Sequence, residues 1–140
     1  MKAGALRAAK VSARSPGYQN TRKPESQIMR EIELALSALR RPDGSPVCSV
    51  WRQHVGKLMS PSGYVTSVGV EGQADLGGVL FTGRALQIEV KSETGRLREG
   101  QERWGAAMRR MNVLWFVARS ADEAVAAVRG AIASSIPGVV

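Results

Sequence analysis

Leu86-Gln87-Ile88-Glu89-Val90-Lys91 alternates apolar and polar side chains without a break. In an extended chain successive side chains point to opposite faces, so Leu86, Ile88 and Val90 share one face and Gln87, Glu89 and Lys91 the other. One face is predicted to meet a core and the other to be polar. Just upstream, residues 76–81 form a second apolar strand candidate, and Thr82-Gly83-Arg84 is a short glycine-containing connection of the kind that closes a hairpin. Asp75 stands immediately before that strand, so folding the hairpin brings it back toward Glu89.

Outward from this hairpin the chain reads as alternating elements. Ile28, Ile32, Ala35, Leu36 and Leu39 recur at steps of three and four, which predicts a helix with one apolar stripe. Pro24 suits its first turn, and Pro42-Asp43-Gly44 ends it. Residues 47–51 and 64–68 are further strand candidates. After Lys91 a loop through Arg96 leads to a second helix, with Leu97, Trp104, Met108 and Met111 as its buried stripe and Gln101 on the same side. Residues 113–117 are a continuous apolar run, predicted as a strand buried on both faces. Ser120 and Glu123 form a capping box ahead of a last helix running to about Arg129. The order predicts an α/β fold, a mixed β-sheet flanked by helices.

The 140 residues suffice for one compact core. A basic arm is expected over residues 1–23, which contain no carboxylate, then a folded domain over 24–132 and a loose tail over 133–140. Twenty Lys and Arg against twelve Asp and Glu give a net charge of +8, which favours a polyanionic partner, nucleic acid first. No signal-like or membrane-spanning run of apolar residues interrupts the sequence, so no membrane partner is expected. Cys48 is the sole cysteine, which excludes an internal disulfide and a cysteine-based zinc site and agrees with a cytoplasmic setting. No G-x-x-x-x-G-K-[ST] loop is present, so a nucleotide cofactor is not expected.

The chemistry concentrates on the polar face of the hairpin. Glu89 and Lys91 alone could be a solvated charge pair. Asp75 converging on Glu89 changes the reading, because paired hard carboxylate oxygens suit Mg2+ or Mn2+, with the Val90 backbone carbonyl as a further ligand. A cation so held can assist phosphodiester hydrolysis, and Lys91 is assigned to positioning and electrostatic stabilisation before general-base work. Arg52 can grip phosphate through two parallel hydrogen bonds, and His54, the sole histidine, is a second candidate substrate contact. Arg96 and Arg98, with Arg103, Arg109 and Arg110, either line a DNA channel or solvate an exposed helix face; the excess of positive charge favours the channel.

Gly72-Gln73-Ala74-Asp75, Glu89-Val90-Lys91, Gly95-Arg96-Leu97 and Gln101 together resemble the PD-(D/E)XK nuclease superfamily, and within it the VRR-NUC (virus-type replication-repair nuclease) domain of the standalone, phage-associated type. The likeness extends from about Pro24 to Val128. It takes in Glu25-x-x-Ile28-x-x-x-Ile32, Trp51-Arg52-Gln53-His54-x-Gly56 and Ala118-Arg119-Ser120. Ala74 departs from the family, which more often has Pro or Ser before the Asp. The resemblance implies a restriction-endonuclease-like fold with an αβββαβ core. It implies Asp75 and Glu89 as metal ligands, Lys91 as catalytic lysine, Glu25 as a carboxylate reaching the metal through water, and Gln101 as a polar helper. Glu31 and Glu33 share the helix with Glu25, and either could face the site in another register. The implied activity is a structure-selective DNA endonuclease, resolving four-way (Holliday) junctions in DNA repair or recombination as a homodimer. A flap, nick or single-strand endonuclease, or a basic DNA-binding protein without catalysis, are the competing readings.

Overall fold

The computed structural model describes residues 22–135. Most of the expected basic arm, and residues 136–140, therefore lie outside the described residues.

Helix α1, Glu25–Ala38, begins behind Pro24 and buries Ile28, Ile32 and Leu36, the stripe its periodicity predicts. Four strands form the main sheet: β1, Cys48–Arg52; β4, Leu76–Leu80; β5, Ala85–Val90; and β6, Leu114–Ala118. Their order is β1-β4-β5-β6, with β1, β4 and β5 antiparallel and β6 parallel to β5. The parallel step requires a crossover, and helix α2, Glu99–Arg110, supplies it. Helix α3, Ala121–Ser135, follows β6 and returns to pack beside α1.

One face of the sheet is dry. Leu86, Ile88 and Val90 of β5 cluster with Ile28, Ile32 and Leu36 of α1 and with Ala124 and Val128 of α3. The opposite face is covered by α2 and is partly polar: Trp104 Nε1 donates to Gln87 Oε1 at 2.6 Å. Close packing there uses Gly105, where an added Cβ would fall 2.6 Å from the Trp115 ring. The period-2 alternation of the opening hexapeptide thus sorts two different layers, an apolar one under α1 and α3 and a polar one under α2.

Four expectations are corrected. The strand expected over residues 64–68, here β3, Val65–Val68, does not join the main sheet; it pairs only with β2, Gly56–Met59. Strand β2 escaped notice because it is four residues long and opens on a glycine, too short for alternation to register. Met111 is 64% exposed rather than buried, since the helix ends there and Asn112 turns the chain with φ 63°. Residues 113–117 are not buried on both faces: Trp115 is buried while its neighbours are half-buried. The last helix runs past Arg129 to Ser135, because Gly130 alone weakens a helix without ending it and the alanines on either side favour continuation. The capping box holds in part: Ser120 Oγ accepts from Glu123 N at 3.1 Å, whereas the Glu123 carboxylate accepts from Arg119 N at 2.7 Å.

Candidate active site

Asp75 sits at the entrance to β4 and Glu89 near the end of β5. The register that pairs Leu76 with Ile88 makes them neighbours across the hairpin. Val90 N donates to Asp75 Oδ2 at 2.8 Å, which fixes one carboxylate oxygen against the β5 backbone.

Glu89 is 1% exposed and Lys91 7%, a degree of burial rare for charged side chains. Lys91 Nζ lies 3.6 Å from Glu89 Oε1. The same oxygen accepts from Gln101 Nε2 at 2.6 Å, and Gln101 Oε1 in turn accepts from Arg98 N at 2.9 Å. Gln101 is therefore locked in place by the first turn of α2 while it holds Glu89. The other oxygen, Glu89 Oε2, is buried with no hydrogen-bond partner. Burial, then the neighbouring Asp75 charge, push the Glu89 carboxyl from its ordinary 4.5 up to about 8, against the opposing pull of Lys91.

Does this set fit a hard divalent cation? Two carboxylates face one another, and a buried carboxylate oxygen lacks any donor. Such an oxygen costs free energy unless a proton or a cation meets it. The donors are oxygens, as Mg2+ and Mn2+ prefer. The residues fit. Among the described residues no three His, Cys, Asp or Glu side chains converge at one point, so the set is a pair.

The remaining candidates divide. Glu25 is exposed, and its Oε1 accepts from Ser92 N at 3.4 Å, one residue beyond Lys91. Glu31 instead pairs with Lys23 at 2.9 Å and Glu33 with Arg52 at 2.6 Å, so of the three only Glu25 turns toward the Lys91 end of β5. Arg52, expected to hold substrate phosphate, is engaged by Glu33. A cleft of about 440 Å3 opens on Asp75, and Gln53, His54, Gln73, Arg98 and Gln101 line it. Glu89 and Lys91 are not part of that lining; Glu89 is joined to it through its hydrogen bond with Gln101. Arg96 is exposed in the loop before α2. A larger groove, about 790 Å3, lies by Leu39, Phe81 and Ile132 on the α1 and α3 side and holds no pair of carboxylates.

Three supports of the site were not read from the sequence. Gln73 Nε2 donates to Gln53 Oε1, Gln53 Nε2 donates to the Ala74 carbonyl, and Gln53 N donates to the Asp75 carbonyl at 2.8 Å, tying the Asp75 loop to the end of β1. Gly72, with φ +82°, lies so close to α2 that an added Cβ would stand 2.5 Å from the Gly100 carbonyl oxygen. Arg119 Nη1 donates to the carbonyls of Ser92 at 2.5 Å and Gly95 at 2.7 Å, clamping the loop after Lys91. All three are long-range contacts of ordinary residue types. The sequence signal was their place in the segments that carry the resemblance, Gly72-Gln73, Gln53 and Arg119, which marks the residues without revealing their partners.

No family model, curated protein or solved structure matches this chain.

Proposed function

We propose that this protein is a metal-dependent DNA endonuclease that hydrolyses phosphodiester bonds, with Asp75, Glu89 and Lys91 as its core. The observation that carries the reading is a buried Glu89 carboxylate that lies against Asp75 and has one oxygen, Oε2, without a hydrogen-bond partner, with Lys91 Nζ 3.6 Å from its other oxygen. The antiparallel β1-β4-β5 meander followed by a parallel β6 supports a restriction-endonuclease-like assignment of the fold.

Asp75 and Glu89 would hold Mg2+ or Mn2+, with the Val90 carbonyl beside them. When bound, such a cation polarises the phosphate and lowers the pKa of a water nucleophile. The protein's own residues do the rest. Gln101 fixes the Glu89 carboxylate through Oε1 and leaves Oε2 free. The Val90 amide sets the rotamer of Asp75. Lys91, desolvated and held on the strand, offers its ammonium to the charge that develops on the scissile phosphate, where a low-dielectric setting strengthens the attraction. The cleft at Asp75, bordered by Arg98 and His54, gives the phosphate backbone a way in, and the net charge of +8 draws DNA toward it. Contacts of this kind position a backbone without reading bases, so selection by DNA shape is the expected mode, with a four-way junction as the leading substrate and a flap or nick as the next.

A second reading, a basic DNA-binding protein without catalysis, draws on two observations: among the described residues only two carboxylates meet, and Glu25 accepts from Ser92 N. Labelled junction, flap and linear duplex incubated with Mg2+, Mn2+ or EDTA separate the two. Cleavage that needs metal supports the nuclease, and metal-independent binding without cleavage supports the alternative.

A further inference from the structure

Strand pairing sets Trp51 opposite Gly77, Gly77 opposite Gln87 and Gln87 opposite Trp115, so the four share one row on the face of the sheet that α2 covers. The cover is incomplete. Over β6 and β5 it is closed, since Gly105 packs on the Trp115 ring and Trp104 Nε1 donates to Gln87 Oε1. Over the edge strand β1 it is open: Trp51 is 51% exposed, whereas Trp115 is 6% exposed. Among the described residues no hydrogen bond or ring contact holds the Trp51 indole. Its neighbours on that face are Ser49, Gln53, Gly77 and Val79, of which only Val79 is large and apolar. The next row of the same face holds Asp75 and Glu89. Gln53 links the two rows, because its side chain lies over Gly77, where an added Cβ would stand 2.8 Å away, and also lines the cleft at Asp75. Trp51 thus stands one strand and two residues from Asp75, roughly 8 Å between backbones at ordinary strand spacing and rise.

We propose that Trp51 is a stacking platform for an unpaired base of the DNA strand whose backbone enters the Asp75 cleft. The platform deepens the nuclease reading of that site and rests on it. Proteins that hold single strands join a basic groove for the phosphates to an aromatic ring for the bases, and both parts are present here. Arg98 and His54 border the cleft, the chain carries a charge of +8, and Trp51 adds an accessible ring beside them without a charge of its own. A protein partner would call for a wide apolar surface about the indole, which Ser49, Gln53 and Gly77 do not offer. A base needs only the ring. Over the short span to Asp75, a nucleotide whose phosphate lies in the cleft can lay its own base, or its neighbour's, on the indole. Drawing a base out of an intact duplex costs free energy, least where pairing is already interrupted. The platform therefore selects DNA with an unpaired base beside the scissile phosphate, as at a flap or branch point, and tolerates any sequence there because every base has a π-face.

Two probes of equal length and charge separate stacking from charge: a short oligothymidylate, and an abasic oligonucleotide with the same backbone. Binding to the full chain is followed in EDTA by the anisotropy of a labelled strand, and by indole emission, which a stacked base quenches. The parent should bind the oligothymidylate more tightly, with quenching that the abasic strand does not cause. Trp51→Ala should weaken oligothymidylate binding roughly 10- to 100-fold, the scale of one base stacked on an aromatic ring, while leaving the abasic strand unchanged and abolishing the quenching. Trp51→Phe should keep most of the affinity. A parent that binds both strands alike, or whose emission the oligothymidylate leaves unmoved, overturns the proposal whether or not Trp51→Ala folds. So does a Trp51→Ala protein, folded by circular dichroism, that binds the oligothymidylate as the parent does or loses affinity equally for both strands. Neither readout needs cleavage: a parent that stacks the base yet cuts nothing with Mg2+ or Mn2+ defeats the nuclease reading alone, and one that cuts with metal yet binds both strands alike defeats the platform alone.

Discussion

Gln101 holds Glu89: the Gln101 side-chain amide, on the first turn of α2, donates to Glu89 Oε1 at 2.6 Å and leaves Oε2 without a partner. A hydrogen bond to a charged partner contributes about 1.5–3 kcal/mol, and loss of a residue that orients a metal ligand typically costs 10–100-fold in affinity or activity. Gln101→Ala should therefore raise the Mg2+ concentration for half-maximal cleavage about 10-fold or more, read from a metal titration of the cleavage rate. An unchanged titration would remove Gln101 from the site.

Asp75 and Glu89 oppose one another when no cation lies between them. In Asp75→Asn the carboxamide oxygen can still accept from Val90 N, while its NH2 group can donate to the Glu89 oxygen that lacks a donor. The variant should melt at or above the parent temperature in EDTA, yet cleave at least about 100-fold more slowly, the scale of losing an electrostatic group at a reacting centre. Asp75→Ala should lose both, because it strands a backbone amide at a cost of about 1–3 kcal/mol. Thermal melts with a cleavage assay check the contrast.

The raised Glu89 carboxyl predicts how metal-free stability responds to pH. Its folded-state value of about 8 lies above the ordinary 4.5, so the folded protein keeps a proton that the unfolded chain releases. That contribution is complete below about 4.5 and is lost as pH rises to about 8. Melting in EDTA should fall between pH 5 and 8, by roughly 2–8 °C for each kcal/mol lost. Glu89→Gln should flatten the curve over this window. A parent curve that rises with pH there would contradict the burial argument.

Arg119 clamps the loop that follows Lys91 through the Ser92 and Gly95 carbonyls. Arg119→Ala should cost about 1.5–3 kcal/mol in stability. If the proposed site is correct, cleavage should slow through kcat with KM little changed, since the guanidinium holds the loop that follows Lys91 and whose Ser92 amide meets Glu25 of α1. Arg119→Lys should recover part of kcat. A defect confined to melting temperature would reduce Arg119 to a structural residue.

Gly72 meets the α2 backbone where no side chain has room, and it does so at φ +82°. Gly72→Ala should destabilise by about 1–3 kcal/mol or more, since the strained conformation and the 2.5 Å approach to the Gly100 carbonyl oxygen both penalise a Cβ. It should also slow cleavage by shifting Asp75 away from Glu89 and the Val90 amide. Chemical denaturation and single-turnover rates measure the two effects separately.

Local pattern carried far in this chain. The alternation from Leu86 to Lys91 made β5 and put Glu89 and Lys91 on one face. The stripe of Ile28, Ile32 and Leu36 made the covering helix. Glycine and proline marked the turns. Asp75 beside Glu89 followed from a short hairpin, because a tight connection fixes the register of both strands. What the pattern concealed were contacts between residues far apart: Arg52 with Glu33, Gln53 with Gln73, and Arg119 with the Ser92 loop. Nothing in the spacing of a charged or amide side chain says which distant partner it will meet.

The sequence by itself therefore determined the three helices, the strands of the main sheet, the polar face of β5 and the carboxylate pair, since these depend on periods of two and 3.6 and on one tight turn, while the four-residue β2 was too short to register. Only the tertiary structure decided that α2 seals that face, which buries Glu89 to 1% exposure and strips one of its oxygens of every donor. Burial and dielectric are properties of the packed whole. They turn a solvated Glu–Lys pair into a site that calls for a proton or a cation.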